Sequence, residues 1–152
     1  MVTTSREQTT EIAARLRLAI VRTARRLRQQ ALGPESTELS PTLSAALATI
    51  DRHGPITPSE LADWERVKRP TATRTVARLE ELGLIAKTPD PSDGRGCLVA
   101  STSEGRALMK RLRSRKNAYL ANRISELDDA DFDTLARAAD ILERLVESEA
   151  RS

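Results

Sequence analysis

The sequence is poor in the side chains on which most enzymes and metal proteins depend. It has one cysteine, Cys97, and one histidine, His53, which excludes an intrachain disulfide and a cysteine-based zinc cluster. Aromatic residues make up 2% of the chain, too few to stack single-stranded bases. No nucleophile–base set and no phosphate-binding loop is present, so we predict neither an enzyme nor a cofactor. We interpret Cys97 as structural and His53, at a predicted helix end, as a C-terminal cap.

Long apolar runs are also missing from the sequence. None approaches the roughly 18 residues that cross a membrane. Residues 1–15 are polar and lack the apolar block of a secretory signal peptide. We therefore expect a cytoplasmic protein with no membrane partner. Arginine greatly outnumbers lysine, which favours a GC-rich bacterial genome.

The net charge of +3 permits nucleic-acid binding without requiring it. The distribution of charge along the chain is more informative. Residues 6–28 carry seven arginines against two glutamates, residues 110–123 carry six basic residues and no acid, and the end of the chain from residue 126 is acidic. The opposite charges of the two ends favour pairing between copies of the chain. Packing of both ends within one subunit is an equal alternative. The basic run at 110–123 is interpreted as a solvated helix face, with contact to flanking phosphates as the alternative.

Hydrophobic periodicity predicts a mainly α fold with one short β-ribbon, in a single domain over residues 1–152. We predict terminal dimerisation helices at 5–31 and 103–150, and a central lobe at 40–100. Within that lobe we expect a helix-turn-helix at about 57–82 and a wing at about 84–100. Its strands are predicted at Leu84–Thr88 and Cys97–Ala100, around a turn-rich tip at 89–96.

The predicted helix from about Lys68 to Leu82 carries the most chemistry. Its apolar positions fall at i, i+4 and i+7, and define a buried face. The opposite face is rich in groups that bind phosphates or bases, because arginine reaches guanine with two donors and a threonine methyl packs on thymine. Taken alone, such a helix would be an ordinary amphipathic surface helix. The capping-box pattern Thr57-Pro58-Ser59-Glu60 predicts the start of a short helix before it. That short helix and the ribbon after it favour a winged helix-turn-helix.

The wing tip is the second candidate element. Its glycines permit a tight turn, and we expect Arg95 to enter the adjacent minor groove. Asp93 is expected to hold that arginine by a charge-assisted hydrogen bond. The alternative is an ordinary β-turn with charges placed by chance.

The ordered segments Ser59–Ala62, Arg69–Arg74, Leu79–Ile85, Asp90–Arg95 and Thr102–Gly105 together resemble the MarR family of bacterial regulators. The resemblance covers nearly the whole chain. It implies a homodimer that binds pseudo-palindromic double-stranded operators, usually as a repressor that a small molecule releases. Together with the helix pattern, it gives these candidate DNA-binding residues: Arg69, Pro70, Thr71, Thr73, Arg74, Arg78, Asp93 and Arg95.

The sequence departs from the family pattern in the turn before the recognition helix and at the wing. The family more often has an apolar residue at Glu65, a glycine at Arg66 and a small capping residue at Lys68. We expect Trp64 to fill the space that Glu65 cannot. Gly94 replaces the first of two basic residues, so we expect a more flexible wing and one fewer phosphate contact.

From the sequence we favour a repressor that a phenolic ligand releases. A ligand-independent winged-helix DNA binder is the first alternative, and a protein–protein module that uses the fold without DNA is the second.

Overall fold

The computed structural model describes residues 5–32 and 39–147. In that part of the chain, six helices accompany a two-stranded antiparallel sheet, which confirms the predicted mainly α winged fold. In chain order the elements are α1 (Arg6–Leu32), α2 (Pro41–His53), α3 (Pro58–Glu65), α4 (Arg69–Glu81), β1 (Ile85–Asp90), β2 (Asp93–Ser101), α5 (Ser103–Ile124) and α6 (Asp129–Glu147).

Side-chain caps begin four of these helices. Ser40, Thr57, Thr102 and Asp128 each accept a hydrogen bond from a backbone N–H three residues further on. The Glu60 carboxylate also accepts from the Thr57 backbone N–H at 3.1 Å, which completes a capping box. The predicted end of α1 at Gly33 and Pro34 lies outside the described residues.

The apolar core lies in the central lobe, between α2, α3, α4, the sheet and the first half of α5. The bridge between Ile56 and Val99 adds a third extended segment beside β2, with N···O distances of 3.1 and 2.7 Å. This pairing was not predicted from the sequence. The largest fully buried side chains are Leu47, Ile50, Leu61, Val76, Leu79 and Val99.

The strands are longer than predicted, so the tip boundaries inferred from proline and glycine were wrong. Pro89 pairs with Cys97, and the ladder shifts register before Asp90 pairs with Asp93. The ribbon tolerates Pro89 because β1 is an edge strand, where a missing N–H costs little. The glycines flanking Arg95 lie in the irregular part of β2 and not in the reversing turn.

The terminal helices bury little in one copy of the chain. α1 packs against α5 near its C-terminal end, yet its apolar stripe is open, and Ile12 is 55% exposed. α6 has no buried residue at all, and Phe132 is 52% exposed. No helix among the described residues is long and apolar enough to span a membrane.

Candidate nucleic-acid interface

α4 has the two-sided character that its sequence predicts. Ala72, Val76 and Leu79 are buried, as their spacing indicates, and Thr75 joins them. This buried row fixes the helix against α2 and α3. The opposite side therefore faces away from the core.

The N-terminal half of α4 presents most of the predicted contact residues to solvent. Arg69, Pro70, Thr73 and Arg74 are exposed, and Thr71 is half-buried. Among the described residues, no hydrogen-bond or ion-pair partner is found for the guanidinium of Arg69 or Arg74. Two guanidinium groups and two threonine hydroxyls thus lie within about a turn and a half of one helix end.

The C-terminal half of α4 differs because its charges are paired within the protein. Arg78 lies 3.1 Å from the Glu81 carboxylate, and Lys87 of β1 lies 3.5 Å from Glu80. The structure therefore places Arg78 on the predicted face, but in an ion pair that a phosphate would have to displace.

In the wing, Asp93 contacts the backbone of Arg95, whereas the prediction was a contact with its guanidinium. The Asp93 carboxylate accepts from the backbone N–H of Arg95 at 3.1 Å, so the hydrogen bond shapes the strand and does not hold the guanidinium. Arg95 itself is exposed on β2. The reversing turn lies at 90–93, two residues before Arg95.

A hydrogen-bonded pair closes that turn. The backbone N–H and the hydroxyl of Ser92 both donate to the Asp90 carboxylate, at 3.0 and 2.8 Å. These bonds favour the ionised form, so they hold the pKa of Asp90 below its ordinary value. The wing tip is thus fixed by local polar contacts.

The turn between α3 and α4 is irregular, as the sequence indicates. Lys68 occupies the N-cap position of α4 and makes no side-chain cap hydrogen bond. Arg66 has φ 52° and ψ 45°, the left-handed region that glycine adopts most readily. The backbone therefore needs at Arg66 the conformation that the family's glycine would supply.

Trp64 does not fill the space beside Glu65, and that prediction was wrong. Trp64 is 57% exposed and stacks on His53, with ring centroids 4.0 Å apart and the planes 11° from parallel. Glu65 is half-buried instead, because its carboxylate accepts a hydrogen bond from the Thr49 hydroxyl. His53 is the last residue of α2, followed by Gly54 at the C-cap.

Taken together, these groups form a surface that binds rather than a site that reacts. Cationic and hydroxyl groups line one exposed helix end, and a β-ribbon with a further exposed arginine follows it in the chain. Within residues 5–32 and 39–147, no group of three His, Cys, Asp or Glu side chains is placed to hold a metal ion. A helix of this kind beside a wing is the arrangement that docks into duplex DNA grooves.

The comparisons with known proteins agree with this geometry. The MarR family model matches residues 39–97. An HTH-type transcriptional regulator of Mycobacterium bovis is 36% identical over 136 residues, which are 90% of this chain and 93% of that protein. The chain belongs to the MarR family. It is a DNA-binding transcription regulator and not an enzyme, as the sequence predicted.

Three further proteins resemble this chain over most of its length. The repressor NicR of Pseudomonas putida is 29% identical over 143 residues, 93% of this chain and 85% of NicR. A MarR family protein of Bacillus stearothermophilus shares the fold with a TM-score of 0.81 at 20% identity, covering 95% of this chain and 99% of that one. FabT of Streptococcus pneumoniae, crystallised with DNA, has a TM-score of 0.73 at 17% identity, covering 92% and 98%.

Proposed function

We propose that this MarR-family regulator binds a pseudo-palindromic operator as a homodimer, represses transcription at the bacterial nucleoid, and is released by a small aromatic ligand. The exposed N-terminal face of α4 carries the DNA-binding part of the proposal. It offers Arg69 and Arg74 without partners among the described residues, beside Thr71 and Thr73. No acidic side chain pairs with either arginine in the described part of the chain, so both guanidinium groups are available to bind phosphates or bases.

The proposed division of labour on DNA follows from position. The N-terminal residues of a recognition helix enter the major groove, where Arg74 and Thr73 would contact base edges. Arg69, at the helix start, would contact a phosphate, with Pro70 beside it. Arg95 on the wing would enter the adjacent minor groove, where its charge is favoured.

Two copies are proposed because the terminal helices leave their apolar faces uncovered. Exposed positions on α1 include Ile12, Leu16 and Ile20, and those on α6 include Phe132 and Leu135. α1 carries seven arginines against two glutamates, and α6 carries six acids against two arginines. Opposite charges beside apolar stripes favour α1 of one protomer against α6 of its partner.

A small cavity supports the effector hypothesis. It has a volume of about 40 Å³, room for little more than a water molecule. Its lining includes two cations, Arg28 and Lys116, and apolar side chains such as Leu39 and Leu112, a combination that suits an aromatic anion. A ring that entered would separate α1 and α2 from α5, and so change the angle of the DNA-binding lobe.

Repression is proposed on the strength of relatives. NicR of Pseudomonas putida and MdtR of Bacillus subtilis are both named transcriptional repressors. A bound dimer at a promoter would exclude polymerase by occupancy alone.

Binding to a selected operator tests the DNA-binding proposal. We expect Arg74→Ala to cost about 1–3 kcal/mol and relax specificity at one position of each half-site. Arg95→Ala is expected to weaken binding and make the dependence of log K on log salt shallower, by about 0.9 for each phosphate that the variant no longer neutralises.

Arg137→Ala on α6 is the matched control, since it removes the same charge from a helix that has no part in the proposed DNA interface. If Arg74→Ala and Arg95→Ala bind as tightly as Arg137→Ala, these two arginines do not contact the operator; a protein that selects no duplex at all would instead favour a protein–protein module. Titration of phenolic acids against the bound operator separates a ligand-responsive regulator, which dissociates, from a constitutive DNA binder, which does not.

A further inference from the structure

The recognition helix starts at a turn whose own side chains provide little support. Lys68 gives α4 no side-chain cap, and Arg66 holds a left-handed backbone that disfavours a side chain. The placement of Arg69–Arg74 depends on this turn. Backbone hydrogen bonds from Arg66 and Val67 to the carbonyls of Ala62 and Asp63 close the end of α3, and side-chain contacts from another helix add to them.

α2 supplies two such contacts from one face. Thr49 and His53 are four residues apart, so they lie one turn above each other on the helix surface. The Thr49 hydroxyl donates to the Glu65 carboxylate, and the His53 ring stacks on Trp64. Two consecutive residues at the end of α3 are thereby joined to α2.

We propose that the Thr49–Glu65 hydrogen bond, beside the His53–Trp64 stack, positions the turn between α3 and α4 and so orients α4 toward DNA. Thr49 and Glu65 are positioning residues, which set operator affinity without touching the operator. This inference rests on the proposed function, since it concerns how the DNA-reading helix is held.

The surroundings of Glu65 explain why the bond matters. Glu65 lines a small cavity whose other lining residues are apolar side chains, such as Ala46, Leu61 and Val67, and three threonines. A half-buried carboxylate in such a place is unfavourable when its partner is removed, whereas replacing both partners by apolar groups is nearly neutral. An apolar pair at these two positions is therefore a workable alternative, in line with the apolar residue that the family more often carries at position 65.

A double-mutant cycle in the full chain tests the proposal. The variants are Thr49→Val, Glu65→Leu and the double substitution, with operator affinity measured on DNA that the unaltered protein has selected. Asp63→Asn, two residues before Glu65 on the exposed side of α3, controls for the loss of one negative charge near DNA. Thr49→Ser keeps the hydroxyl and is the conservative variant.

Trp64 provides a second readout, because it is the only tryptophan in the chain. Its emission reports directly on the contact between α2 and the end of α3. We expect Thr49→Val to change that emission and to weaken operator binding about tenfold, while Thr49→Ser leaves both near their original values. The double variant is expected to regain affinity to within about threefold of the unaltered protein.

Unchanged operator affinity in Thr49→Val would overturn the inference, whatever the emission does. A double variant that binds as weakly as the two single losses combined would overturn it too, since the two residues would then act independently. Both results require that the unaltered protein binds its operator. Failure to select any duplex would overturn the proposed function itself, and this inference with it.

Discussion

The central lobe buries its apolar side chains, whereas the terminal helices leave many of theirs exposed. In the lobe, Leu47 and Leu79 have no exposed surface, and polar caps begin the helices around them. On α6, Leu135 is 44% exposed and nothing is buried. The lobe is complete within one copy of the chain, whereas the terminal helices show apolar faces that a single copy does not cover.

This difference indicates where each part of the function lies. A complete lobe can hold a recognition helix rigidly, which sequence-specific contacts require. Uncovered helices of opposite charge instead suit pairing of two copies, which sets the distance between two recognition helices. Substitutions in the two regions should therefore differ in the property that they change and in the size of the change.

Removing side-chain volume from the lobe should have the largest effect. We expect Leu47→Ala to lower the free energy of unfolding by about 2–5 kcal/mol, because it leaves a cavity in a fully packed site. Urea titration followed by circular dichroism measures this loss. Val146→Ala on the exposed end of α6 is the matched aliphatic truncation, and should change stability by less than about 0.5 kcal/mol. Equal losses in both variants would contradict the comparison.

Polar substitution on the α6 stripe should weaken the proposed dimer without unfolding the lobe. Leu135→Gln is expected to raise the dimer dissociation constant about thirtyfold, since each of two symmetric copies loses a partly exposed leucine from the interface. Sedimentation equilibrium measures this constant. Arg137→Gln places the same amide nearly opposite on the helix and should leave the constant within about threefold. An unchanged constant in Leu135→Gln would exclude α6 from the interface.

Arg66 has a left-handed backbone conformation, so its substitution should have a smaller effect that increases stability. Arg66→Gly should raise the free energy of unfolding by about 1 kcal/mol, because glycine adopts φ 52° without steric cost. Thermal unfolding measures the gain. Arg69→Gly, at a helical position of α4, should be neutral or destabilising instead. A loss of stability in Arg66→Gly would show that the arginine side chain makes a contact that outweighs its backbone strain.

The smallest effect concerns the wing tip and pH. Hydrogen bonds from Ser92 lower the pKa of Asp90, so the ionised carboxylate stabilises the turn. That contribution is present above the unfolded-state pKa and is lost as pH falls through the lower folded-state pKa. NMR titration should give Asp90 a pKa below the ordinary value of 3.8, and Ser92→Ala should raise it. A pKa in Ser92→Ala identical to that of the unaltered chain would contradict this account.

Local signals predicted most of the lobe. The capping box at Thr57 and Glu60, the apolar spacing of α4 and the missing cap at Lys68 each depend on residues close in sequence. The contacts of Glu65 and Trp64 could not be predicted in this way, because their partners Thr49 and His53 lie on another helix. The wing strands were underestimated for a related reason. Proline and glycine indicate turns locally, yet in this ribbon they lie at an edge and in an irregular stretch of strand.

The most direct test of the central claim is the DNA that the purified protein selects from a random duplex pool, together with the stoichiometry of the complex. If the uncovered helices α1 and α6 of two protomers pair and so join two complete lobes, the enriched DNA will contain an inverted repeat. Its half-sites will be centred about 10–10.5 base pairs apart, with two protomers bound. Enrichment of a single unsymmetrical site bound by one protomer, or no enrichment at all, would contradict the account.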